Sequence, residues 1–170
     1  VTGVQTCALP ISKKSFNEFT SGEQADWEEI RASDISFGYC RSRIMALYGS
    51  RHSDTTFPVY DAIADYAATH PAPTGSSGWF LPGSHELATL CFGAPTSFTE
   101  SGSTYYYKNL QMLNKINPQI DKAVGDKLIG KYWSGYEWNE ERGWHVDVTT
   151  PHYGVKPKTD TYKVRAVLAF

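Results

Sequence analysis

The sequence is short of most features that would name a chemistry. It has three cysteines in 170 residues, and no pair of them has CxxC or zinc-ligand spacing. It has no phosphate-binding glycine loop, no GxGxxG and no GxSxG. His85-Glu86 opens like the zinc-protease motif HExxH, but Thr89 stands where the second histidine is needed. No apolar run approaches ~20 residues, the length that spans a bilayer. No charge dominates: 16 Lys+Arg face 18 Asp+Glu, for a net charge of −2. That balance lacks the broad basic field of backbone-driven nucleic-acid binding. What remains is a 41% hydrophobic chain with 14% aromatics, among them 11 Tyr and 5 Trp. This is enough apolar material for one core. Tyr and Trp in such numbers suit part-exposed surfaces, because each carries a polar handle.

Residues 1–11, VTGVQTCALPI, have neither the charged start nor the long apolar centre of a signal peptide. They resemble the in-frame translation of a sequencing-library adapter, a stretch found at the broken ends of metagenomic reading frames. The expectation is therefore a non-native segment that belongs to no fold, with the natural protein beginning further upstream. Any leader or anchoring domain would lie there. Residues 12–32 are polar with scattered aromatics and read as a loop or domain edge. Discounting Cys7 leaves Cys40 and Cys91, which allow one disulfide and fit two small buried hydrophobes better.

The periodicity then changes along the chain. Ile44, Leu47 and Tyr48 have helical spacing, closed by Gly49. Residues 58–70 form the clearest predicted helix, with Pro58 in its first turn, Val59, Ala62, Ile63, Tyr66 and Ala67 on one face, and Pro71 beyond its end. Ser84 is the expected cap of a helix through Leu87 and Cys91. Residues 96–104 read as a loop, residues 107–116 as a helix, and Asn117-Pro118 as the start of another. From Tyr132 the period falls to 2. Trp144, Val146 and Val148 alternate with His145, Asp147 and Thr149, and Tyr162, Val164, Ala166, Leu168 and Phe170 form a second alternating run. Residues 150–154 read as a turn-rich connection. Helices first and a mostly antiparallel sheet last is an α+β domain.

Between those apolar positions the outward set is mixed: Tyr136, Trp138, Arg142, His145, Asp147, His152, Tyr153, Lys156 and Asp160. Rigid aromatics with Arg and His match the make-up of binding surfaces. No nucleophile is paired with a base here, so no catalytic residue is assigned. Glu137, Glu140 and Glu141 form an acidic cluster that reads as a solvated loop rather than a calcium site. No metal ligand or cofactor is expected.

Three motifs carry a resemblance. Gly78, Trp79, Phe80, Leu81 and Pro82 followed by Glu86 and Leu87 resemble a GWYLPS…EL element. Tyr132, Trp133 and Ser134 with Glu137, then Gly143, Trp144, Val146 and Val148, resemble YWSSxE…AWxVxF. Lys158 and the closing Val164-Arg-Ala-Val-Leu-Ala-Phe170 resemble K…YVRAVLAF. Together they are similar to the C-type-lectin-fold variable proteins of diversity-generating retroelements from gut Bacteroidales and their phages. The resemblance covers residues 33–170. It implies a C-type-lectin-like domain whose segment 132–165 displays a varied surface on a fixed frame. It further implies Gly135 among the varied positions, a macromolecular ligand such as a cell-surface protein or glycan, and a place on a cell surface or virion. Gly143, Val148 and Pro151 depart from the family's Ala, Phe and Gly. A remoter resemblance to formylglycine-generating sulfatase-modifying enzymes implies an enzyme with a reactive cysteine pair, yet Cys40 and Cys91 both precede the sheet. The third reading is a structural adhesin or pilus domain. The calcium signature of sugar-binding C-type lectins is missing from the sequence.

Overall fold

The computed structural model describes residues 4–8, 37–51, 57–93, 98–101, 104–107, 111–123, 125–139 and 141–170. The polar stretch 12–32 and Glu140 lie outside the described residues, as do the side chains of Cys7 and Glu137. In chain order the elements are β1 (Val4–Ala8), α1 (Phe37–Arg51), α2 (Pro58–Thr69), α3 (Ser84–Phe92), β2 (Phe98–Ser101), β3 (Thr104–Tyr107), α4 (Gln111–Lys122), β4 (Lys131–Glu137), β5 (Arg142–Asp147), β6 (His152–Pro157) and β7 (Thr161–Arg165).

The helices form where the apolar spacing places them. α2 begins on Pro58, whose missing N–H costs nothing in a first turn, and it buries Val59, Ala62 and Ile63. α3 is capped differently from expectation. Gly83 is its N-cap, and Glu86 accepts the Gly83 amide at 2.6 Å, while Ser84 is buried as the first helical residue. The same carboxylate oxygen accepts the Gly38 amide at 3.1 Å, so one side chain ties the start of α3 to the start of α1. A Cβ on Gly38 would overlap that oxygen and the Gly83 nitrogen, so only glycine fits there. α1 runs past Gly49 to Arg51. Residues 111–122 are one helix, not two, with Pro118 inside it. Leu113, Ile116 and Ile120 hold the helix to the core, which outweighs the single hydrogen bond that proline removes.

The sheet has seven strands in the order β1-β7-β4-β5-β6-β3-β2. All neighbours are antiparallel except β4 and β7, which run parallel. Four expectations change. Residues 152–157 are not a connection but a full strand, paired with β5 over six residues. Residues 98–101 and 104–107 are paired antiparallel strands, β2 and β3, where a loop over 96–104 and a helix from 107 were expected. The last strand stops at Arg165; beyond it Val167 bridges Phe80 and Ala169 bonds Ser77, leaving Phe170 89% exposed. The adapter-like segment is also not outside the fold, because Val4–Ala8 pairs antiparallel with β7 over five residues. A sheet edge offers unpaired N–H and C=O groups that any extended backbone can take, whatever its side chains.

Helices cover both faces of the central strands. On one face Tyr132, Val146 and Tyr153 pack with Leu87, Ala88, Cys91, Phe92, Leu113 and Leu128. On the other, Trp133, Val164 and Ala166 pack with Val59, Ile63 and Leu81. The chain is thus α+β, with its motif residues Tyr132 and Trp133 committed to opposite cores.

Candidate ligand-binding face

Cross-strand register decides which side chains meet. Lys131 on β4 pairs with Asp147 on β5, and Asp147 pairs with His152 on β6. One row along, Trp133 pairs with His145, and His145 with Gly154. Lys156 follows on the same face, opposite Gly143. Paired residues point the same way, so Lys131, Trp133, His145, Asp147, His152 and Lys156 share one face. Tyr162 closes it. Its ring lies 4.6 Å from that of Trp133 and 5.2 Å from that of His145, centroid to centroid. Lys131 places its ammonium 5.4 Å from the Tyr162 ring centroid. Asp160 accepts the Tyr162 hydroxyl at 2.7 Å.

His145 forms the floor of this face and is 1% exposed, against the expectation of a solvated position. Its Nδ1 lies 2.8 Å from the Gly154 carbonyl oxygen, so Nδ1–H is the donor and Nε2 carries the lone pair. Nε2 has no partner, and neither has the buried indole N–H of Trp133. Burial pulls the imidazole down to about 4, and the charges of His152, Lys131 and Lys156 add to that shift, while the bond to Gly154 opposes it. His145 is therefore neutral at neutral pH. Asp147 is 5% exposed and is likewise structural. Its Oδ1 accepts the amides of Thr149 at 2.8 Å and Thr150 at 3.2 Å, closing the turn after β5. Burial alone would push the carboxyl up; the bonds from Thr150 and Thr149 overcome it and hold the group below its ordinary value. Asp147→Ala should accordingly cost about 1–2 kcal/mol, since it strands two turn amides. Urea denaturation reads this directly, and an unchanged midpoint would show that the turn closes without the carboxylate.

The other expected site residues are scattered. His152, Lys156 and Asp160 are half-buried on the face just described. Trp138 and Arg142 lie at the β4–β5 hairpin, where the Trp138 amide donates to the Arg142 carbonyl at 2.9 Å. Trp138 is 54% exposed and meets Trp144 edge-on at 5.5 Å. Trp144 is half-buried rather than core, because it covers the end of the sheet beside Tyr153.

Besides His145 and Asp147, Gly135 and Tyr153 are buried rather than exposed contact positions, and Tyr136 is half-buried. Gly135 is buried against Leu81 and Pro82, its amide bonded to the Pro82 carbonyl at 2.8 Å and its carbonyl to the Tyr60 hydroxyl at 3.1 Å. Tyr153 is 3% exposed inside the core, with its hydroxyl 3.0 Å from His85 Nε2. Tyr136 is wedged against Gly83 under the guanidinium of Arg41, 4.9 Å from the ring centroid. Burial and then the Glu86 charge push its phenol up to about 12. Two members of the face were missed, Lys131 and Tyr162. Lys131 lies two residues before Trp133, so period 2 puts both on one face. Tyr162 sits in the alternating run and reads as core by pattern alone.

Cys40 and Cys91 are both buried. Burial pushes the Cys91 thiol up to about 12, the opposite of an activated thiolate. No group of three or more His, Cys, Asp or Glu side chains among the described residues could hold a metal ion. No described helix is long and apolar enough to cross a membrane.

No family model matches the sequence, and no curated protein does. A solved structure does match the fold. The chain shares the fold of part of a fimbrial protein. That protein is from Bacteroides ovatus, and its crystal structure was determined at 1.85 Å resolution. The match has a TM-score of 0.62 at 19% sequence identity and covers 98% of this chain. It covers 34% of the fimbrial chain, so the present chain spans about a third of that protein's length. At this identity the likeness establishes the architecture and leaves the site to be argued from its own side chains.

Proposed function

We propose that this chain is a non-enzymatic adhesion domain of a surface-displayed, fimbria-type protein. The observation that carries this reading is the fold shared with the fimbrial protein along 98% of the chain. The contact surface is the set of half-buried polar groups His152, Lys156 and Asp160, beside the covered Trp133, His145 and Tyr162. A shallow face of polar groups on a fixed aromatic base suits a macromolecule better than a small molecule, which needs a concave pocket. The narrower reading, a C-type-lectin-like frame whose face is rewritten by a retroelement, is part of this proposal. The mixed polar side chains gathered on one sheet face favour it, and a reverse-transcriptase gene beside the coding sequence would decide it.

Adhesion of beads coated with the chain to intact bacterial and epithelial surfaces tests the proposal. The triple variant His152→Ala, Lys156→Ala, Asp160→Ala should reduce adhesion about ten-fold while melting like the parent. Equal adhesion by both proteins would remove this face as the contact surface.

A further inference from the structure

An apolar groove of about 270 Å³ lies where the chain beyond β7 meets α3 and α4. Leu90 of α3, Ile116 and Ile120 of α4, Trp79 and Leu168 supply apolar surface to it. Arg165, at the end of β7, also lines it and is 3% exposed. Among the described residues that line the groove, Arg165 is the only one with a charged side chain.

The lining is fixed by bonds of its own. Leu128, part of the lining, is pinned to α4 by two hydrogen bonds with Asn117, at 2.8 and 3.0 Å. Val167 exchanges two backbone bonds with Phe80, at 2.9 and 3.0 Å. The Trp79 indole N–H donates to the His70 carbonyl at 2.6 Å. A ligand therefore meets a formed site and does not have to order it.

Charge and volume then select the ligand. The Arg165 guanidinium donates to the Asp126 backbone carbonyl, a neutral acceptor that leaves the charge in place. A purely apolar guest would press hydrocarbon onto this buried cation, and an ammonium would add a like charge. A carboxylate instead matches the planar fork of guanidinium donors. The volume corresponds to about nine water-sized groups, at ~30 Å³ each. A groove of that size is small beside the roughly 800 Å² that each partner gives to a stable protein interface, so a second copy of the chain is the poorer occupant. We propose that the groove binds an aliphatic monocarboxylate of about eight carbons, with its carboxylate at Arg165 and its chain along Leu90, Ile116, Ile120 and Leu168.

The test is an NMR titration of the full chain with octanoate, octanol and octylammonium at neutral pH. Octanoate should shift the Trp79 indole and the methyls of Leu90, Ile116 and Ile120. It should bind at least about ten-fold more tightly than octanol, and octylammonium should give no shift. Leu168→Trp, which fills the groove, should weaken octanoate about ten-fold with the melting temperature kept. Arg165→Gln should make octanoate and octanol bind alike. Arg165 also holds the Asp126 carbonyl. If either variant fails to fold, the three ligands on the parent chain decide alone. Equal binding of octanol and octanoate by the parent, unchanged binding by a folded Leu168→Trp, shifts confined to the face of His152 and Lys156, or no binding would overturn the proposal. Shifts at the groove on dilution of the chain alone would overturn it too, since they place a second copy there. Bead adhesion through His152, Lys156 and Asp160 is a separate outcome that neither result changes.

Discussion

Trp133→Ala should destabilise the domain by about 3–5 kcal/mol, the range for truncating a large buried aromatic. The residue is 0% exposed and joins three layers. It packs on Val59 and Ile63 of α2, on Leu81 of the following segment and on Val164 of β7, and its ring supports Tyr162 and His145. Removing it opens a cavity under the candidate face that backbone strands cannot collapse to fill. Trp144→Ala should cost distinctly less, about 1–2 kcal/mol, because Trp144 is half-buried. Equal losses for the two variants in chemical denaturation would show that the two tryptophans share one environment, against the burial described here.

Acid should destabilise the domain over two pH windows, and His145 sets the first. Its imidazole titrates near 4 in the fold against 6.5 when free of it. The unfolded chain therefore takes up this proton first as pH falls. The stability contributed by the neutral ring is fully present above about pH 6.5 and is lost progressively down to about pH 4. The loss amounts to about 3 kcal/mol for a shift of this size. The second window belongs to Asp147, whose carboxyl is held below its ordinary value; its contribution is present above that ordinary value and disappears at lower pH. His145→Gln keeps a side-chain donor for the Gly154 carbonyl but cannot titrate. Its denaturation midpoints should be flat between pH 6.5 and 4, whereas the parent's should fall. A parent curve that is flat across this window would mean that His145 is not held neutral by burial.

Legibility in the sequence followed the packing. α2 and α3 were readable because each covers one side of the sheet, so their apolar spacing is helical and one-faced. The central strands were only half readable. β5 shows Trp144, Val146 and Val148 alternating with polar residues, which reads as a strand with one wet face. In the fold β4 and β6 flank it, and both of its faces are covered around His145, Val146 and Asp147. Polar residues buried by hydrogen bonds to Gly154 and to Thr149 and Thr150 cannot be told from exposed ones by pattern. β6 was hidden by Pro151 and Gly154, which mark turns in general but here stand before a strand and inside it. The parallel pairing of β4 with β7 leaves no local signal at all, since it joins Tyr132 to Lys163 across two intervening strands. Among the site residues, His152 and Lys156 lie on one face of β6, and Asp160 is bonded to Tyr162 in the neighbouring turn. Gly135 and Tyr153 were drawn into the list by their position in the segment, and cross-chain packing decides against them.

The most direct measurement is amide hydrogen exchange of the full chain, free and bound to the cell surface to which the coated beads adhere. The account predicts added protection concentrated at Thr149, Thr150 and residues 152–163, around the face of His152, Lys156 and Asp160. It predicts no change at α4 or at residues 166–168, which line an apolar groove of about 270 Å³ with Leu90 and Trp79 on the other side of the fold's C-terminal segment. Protection confined to that groove, or to the hairpin that carries Trp138, would contradict the claim that this domain makes contact through His152, Lys156 and Asp160.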